Sequence, residues 1–141
     1  MTTIGIFVAG TPAPQGSKRF VGVHGGKGIM IESAGDKVKS WRADVREAFA
    51  YALDAPLTGP IHVEARFYLR RPASVSQRRR PLPTVKPDLD KLARSTLDAL
   101  KSAGVYGDDS QVVALTVSKF YADTDQPTPG AWVAITEGET S

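Results

Sequence analysis

The chain has 141 residues, with 18 basic against 15 acidic side chains, a net charge of +3 and a pI near 9.3. That length suits one domain, 1–141, and 41% hydrophobic residues suffice for a packed core. The absence of cysteine excludes disulfides and thiolate zinc sites and fits a reducing compartment. No apolar run approaches the ~20 residues of a membrane span, and the opening "MTTIGIFVAGTP" lacks the pattern of a signal peptide. His24 and His62 are the only histidines and stand without ligand spacing, which argues against a histidine zinc site. A metal here would be held by oxygen ligands, as magnesium and manganese are.

Residues 3–10, "TIGIFVAG", read as a strand. A Gly/Pro-rich stretch comes next, and its short apolar pieces on either side of "GG" suggest a hairpin or an ordered loop. The "GGKG" within it is no phosphate loop, because the upstream glycine is missing and Gly28 stands where a Ser or Thr is needed. Residues 36–53 place Val38, Trp41, Val45, Ala48, Phe49 and Ala52 on one helical stripe, opened by Ser33 or Asp36 as cap, with Trp41 as a core residue. Pro56, Gly59 and Pro60 end that element.

Residues 61–70, "IHVEARFYLR", alternate apolar and polar, the pattern of a strand with one buried face. Residues 71–87 hold four prolines and the triplet Arg78–Arg79–Arg80. A loop of that length in a small domain is usually functional or mobile. The basic cluster of Arg70, Arg71, Arg78, Arg79, Arg80 and Lys86 can neutralise phosphates or simply be solvated. Residues 88–103 make a second amphipathic helix through Leu89, Leu92, Ala93, Thr96, Leu97, Leu100 and Ala103, with Gly104 as its C′ residue. Two strands complete the chain, "QVVALTVSKFYA" and "AWVAITE", and the turn "QPTPG" suggests that they pair as an antiparallel hairpin. The sum is an α+β domain, a mixed sheet with two main helices packed on it.

Two acidic pairs bracket the second helix: Asp88 with Asp90 in "KPDLDKL", and Asp108 with Asp109 in "YGDDSQ". Each has an ordinary structural explanation. Asp88 is a good N-cap, Asp90 suits the helix dipole, and Asp108–Asp109 suits a turn. The alternative is convergence on a divalent cation, which would relieve their mutual repulsion and activate water against a phosphate. That requires Asp88 to lie off the helical path, as Pro87 permits, and the strand after the helix to run beside the strand before it. Both readings remain open on the sequence.

The stretch "KPDLDKLARSTLDALKSAGVYGDDSQVV" is similar to the signature of the RusA family of Holliday junction resolvases, found commonly in phages and prophages. The opening "GTPAPQGSKR" and the "WR" at Trp41 fit as well. The resemblance implies a small homodimeric endodeoxyribonuclease that cuts four-way DNA junctions symmetrically, with Mg2+ as cofactor and Mn2+ as a substitute. Carried over by position, Asp88, Asp90 and Asp109 are the implied metal-binding catalytic carboxylates. Arg94 stands at the family's catalytic lysine and Lys91 at its asparagine, two departures. Arg94 keeps the charge that would hold the scissile phosphate but is a poorer proton donor than lysine. Alternatively it is only an i,i+4 partner of Asp90. Arg78, Arg79, Arg80, Lys86 and Lys91 are the expected DNA contacts. The resemblance further implies DNA recombination or repair in the cytoplasm of a bacterial host, with neither a membrane nor a nucleotide cofactor. A nuclease of flaps or forks and a catalytically silent branched-DNA-binding module are the alternatives.

Overall fold

The computed structural model describes residues 2–16, 18–24, 27–32 and 35–138. In chain order these form β1 (Thr2–Ala9), β2 (Lys18–His24), β3 (Lys27–Glu32), α1 (Gly35–Phe49), β4 (Ile61–Leu69), α2 (Leu89–Ser102), a 3-10 turn (Asp109–Gln111), β5 (Val112–Tyr121) and β6 (Gly130–Glu137). The main sheet has the order β1-β6-β4-β5, with β5 parallel to β4 and the other neighbours antiparallel. β2 and β3 pair as a separate antiparallel ribbon, the hairpin that the Gly/Pro-rich stretch suggested. The α+β reading therefore holds.

The alternation in β4 decides which face of the sheet is covered. Ile61, Val63, Ala65, Phe67 and Leu69 are all buried, and so are Ala131, Val133 and Ile135 on the neighbouring β6. Against that face lie Val38, Trp41, Val45 and Phe49 of α1 and Leu92, Ala99 and Leu100 of α2, joined in one apolar core. Trp41 is fully buried, and its indole N–H donates to Thr96 Oγ1 at 3.1 Å, so the polar atom it carries into the core is satisfied.

Two expectations are corrected. β5 and β6 do not pair as a hairpin: β4 lies between them. The segment 122–129 is long enough to step across one strand, about 10 Å between next-nearest neighbours. β4 then gains a partner on each edge, and its buried face lies in the interior of the sheet. α1 also ends at Phe49 rather than at residue 53. The N–H groups of Ala50 and Ala52 turn back onto Glu47 and Phe49, and Tyr51 is left almost fully exposed. The expected cap Ser33 lies outside the described residues, and Asp36 falls in the first turn of α1.

The connection β4–α2–β5 sets where the two acidic pairs lie. A helix joining two parallel strands runs antiparallel to both, so its ends lie at opposite ends of the sheet. Its fourteen residues span roughly 20 Å. Its C-terminus closes in a Schellman arrangement: Gly104, at φ +82°, donates to Lys101 O, and Val105 donates to Leu100 O.

Candidate metal and nucleic-acid site

Asp88 occupies the N-cap position of α2 in extended backbone, φ −69° and ψ 137°, but its side chain caps nothing. The residue thus lies off the helical path, one of the two conditions for a carboxylate cluster. Asp90 is exposed, and no side-chain bond of its own is found among the described residues. Arg94 is exposed one turn further on and makes no ion pair among the described residues, so its reading as a salt-bridge partner of Asp90 has no support. These acids are not employed in holding the fold.

The second acidic pair divides differently. Asp108 caps the 3-10 turn: Oδ1 accepts from Ser110 N at 2.9 Å, which holds its carboxyl below the usual carboxylate range. Gln111 completes this box. Its Oε1 accepts from the N–H groups of Gly107 and Asp108, and its Nε2 donates to Leu57 O and Gly59 O, tying the turn to the start of β4. Asp109 is exposed and has one weak partner, the Tyr106 hydroxyl at 3.4 Å. That hydroxyl also donates to Leu97 O at 2.9 Å, and its pKa is pushed up by burial first and then by Asp109. Nearby Asp98 is likewise raised, by desolvation, against the opposing charge of Arg42 and with a contribution from Asp109. The carboxylate the fold uses is therefore Asp108, and the freer one is Asp109.

β5 does run beside β4, the second condition, yet the three expected ligands do not meet in one chain. Among the described residues no group of three metal-binding side chains comes together. Asp109 lies beside Leu97, seven residues or roughly 10 Å along the axis from Asp90. Asp88 and Asp90 also face different recesses. Asp88 lines a cleft of about 740 Å³ with Lys37, Arg70, Lys86 and Lys91, and Pro87 beside it follows a cis peptide bond. Asp90 lines an apolar groove of about 440 Å³ with Arg94, Leu89, Ala93, Leu97, Leu115 and Val117. The groove runs along α2 from Asp90 to Leu97, beside the free edge of β5. Val113 and Leu115 of that strand are 58% and 45% exposed.

The loop 71–87 is built around its cations. Arg71 donates to the carbonyls of Ser76, Arg80 and Pro81 and stacks 4.1 Å over the Tyr121 ring. Arg80 Nε donates to the Tyr121 hydroxyl at 2.8 Å, and Lys119 Nζ holds the carbonyls of Val85 and Pro87. Of the arginine triplet, Arg78 and Arg79 are exposed, while Arg80 is half-buried in the loop's own scaffold. Lys37 and Arg70 join Lys86 and Lys91 around the cleft, although Lys37 is distant in sequence and has no local signal.

No helix among the described residues is long and apolar enough to cross a membrane. The sequence profile described as Endodeoxyribonuclease RusA matches residues 9–135. The chain is also similar to a Bacillus subtilis (strain 168) protein named Uncharacterized protein YqaN, at 35% identity over 133 residues, covering 87% of this chain and 91% of that one.

Proposed function

The chain belongs to the RusA endodeoxyribonuclease family, and from that premise we propose that it is a magnesium-dependent endonuclease resolving four-way DNA junctions as a homodimer. The observation that carries this reading is the division of labour among the aspartates. Asp88 and Asp90 are exposed and bear no part of the fold, Asp109 has a single weak partner, and the adjacent Asp108 does the capping.

All-oxygen donors suit a hard divalent cation such as Mg2+, with Mn2+ as substitute. One copy supplies Asp88 and Asp90 at one end of α2 and Asp109 at the other, so a complete set needs a second copy. A twofold axis across the groove runs two α2 helices antiparallel and brings Asp109 of each toward Asp90 of the other. Leu97, Leu115 and Val117 would be buried in that contact. Two sites related by the axis match the two nicks that resolving a junction requires.

When bound, the cation would polarise the phosphate and activate water. Asp88, Asp90 and Asp109 would hold it, and their negative charge favours its retention. Arg94, at the lip of the groove next to Asp90, would place its planar guanidinium against two oxygens of the scissile phosphate and stabilise their growing charge. Lys91 and Lys86 would hold flanking phosphates, and Arg78 and Arg79 would reach the DNA from the loop.

The test is cleavage of a labelled four-way junction against a linear duplex, with magnesium titrated from zero, for wild type and Asp90→Asn. Wild type should make paired magnesium-dependent nicks. The variant should lose about 10³-fold in rate, the scale of several kcal/mol of charge stabilisation, with unchanged melting and junction binding. Junction binding by wild type without nicks in magnesium or manganese would instead support a silent binding module.

A further inference from the structure

Several cations around the cleft are committed to the fold. Arg71, Arg80 and Lys119 bond backbone carbonyls or Tyr121, and Arg66 pairs with Glu64 at 3.3 Å. The four that line the 740 Å³ cleft are different. Lys37, Arg70, Lys86 and Lys91 make no ion pair and no side-chain hydrogen bond among the described residues. They come from the first turn of α1, the residue after β4, the loop before α2 and the first turn of α2. Four unneutralised positive charges facing one cavity repel each other, and Asp88 offsets only one of them. The arrangement has the charge of a site for a polyanion.

The walls are fixed. Gln15 N donates to Lys91 O at 2.9 Å, and Ser95 Oγ donates to Ala13 O at 2.6 Å, so the segment after β1 is fastened to α2. Lys119 fastens the opposite wall through Pro87 O. A cleft of about 740 Å³ suits a single sugar–phosphate strand better than a whole duplex, whose major groove alone is ~12 Å wide.

We propose that this cleft is the channel for one DNA backbone strand running past Asp88, and that Lys37 and Arg70 are phosphate-contacting residues that set its register. The inference rests on the nuclease reading for the identity of the polyanion. The contacts are to phosphate, so they carry no base information and act equally on any sequence.

Binding to a fluorescent four-way junction is followed in EDTA across a salt series, so that the readout requires neither metal nor cleavage. Lys37→Ala and Arg70→Ala should each reduce the slope of log K against log salt by about 0.9, and the double variant by about twice that. Lys37→Arg should restore the slope. Arg46→Ala, an exposed cation in the last turn of α1 and not among the residues around the cleft, should leave it unchanged. Unrelated arm sequences should give the same result. Slopes that fall no further than for Arg46→Ala, in a protein that still binds and cuts, would overturn the channel and leave the nuclease reading intact. Reduced slopes in a protein that never cuts would support the channel and overturn the nuclease reading. A wild type that binds no DNA would overturn both.

Discussion

The two ends of α2 carry the same residue type to different purposes. At the C-terminal end, Gly104 closes the helix, Asp108 and Gln111 lock the turn beyond it, and the Tyr106 hydroxyl is tied to Leu97 O. At the N-terminal end, Asp88 stands in a capping position without capping, and Asp90 and Arg94 are exposed with no side-chain hydrogen bond or ion pair among the described residues. A polar group engaged in the fold contributes to stability, and one hydrated at the surface is free for another role. The contrast separates, residue by residue, the acids the fold uses from those it leaves free, which sequence position alone does not.

Substitutions at the two ends should therefore fail in different assays. Arg94→Ala should lower the cleavage rate by about 10²–10³-fold, the scale for a lost donor at developing charge, with melting unchanged. Arg94→Lys, which restores the family's residue, should keep most of the activity, and loss of activity equal to Arg94→Ala would show that this site needs the guanidinium fork. Leu115→Glu tests the groove beside α2. Leu115 is 45% exposed in a single chain, so the fold should persist within about 0.5 kcal/mol. Sedimentation should show 15.1 kDa rather than twice that mass, with cleavage lost; a variant that stays dimeric would place the interface elsewhere.

At the structural end, Gln111→Ala removes four hydrogen bonds around the turn and should cost about 2 kcal/mol of stability, read by denaturant melts. The smallest effect belongs to Asp108→Asn. The folded-state pKa of Asp108 lies below 3.8 because Ser110 N–H bonds the carboxylate. Its contribution is thus present above about pH 4 and is lost as pH falls through the lowered folded value. The stability difference between wild type and the variant should shrink below pH 3.8 and stay flat above about pH 5.

How much of this could be read in the chain depends on how local each signal is. The alternation of β4 and the stripe of α2 with Gly104 are set by periodicity and one backbone position, and the structure has them where the sequence placed them. The strand order was not legible, because "QPTPG" signals a reversal and not which strand lies alongside. For the same reason the separation of Asp109 from Asp90 could not be read: adjacency of β4 and β5 was foreseeable as a condition, but the parallel crossover that sends the helix ends apart is a property of topology. Spacing shows a basic cluster in 70–86, yet only hydrogen bonds reveal that Arg71 and Arg80 build the loop while Arg70 faces the cleft with Lys37.

The central claim, that each site draws on both ends of α2 from two copies, is tested most directly by mixing two inactive variants. Asp90→Asn and Asp109→Asn are each purified, unfolded together, refolded and assayed on the labelled junction in magnesium. If sites are shared, every mixed dimer has one site bearing both substitutions and one bearing neither. About half of the dimers are mixed, so about a quarter of wild-type sites return, seen as single nicks without paired cuts. If each site lies within one copy, every site in the mixture carries a substitution, and the absence of any recovered nicking would contradict the account.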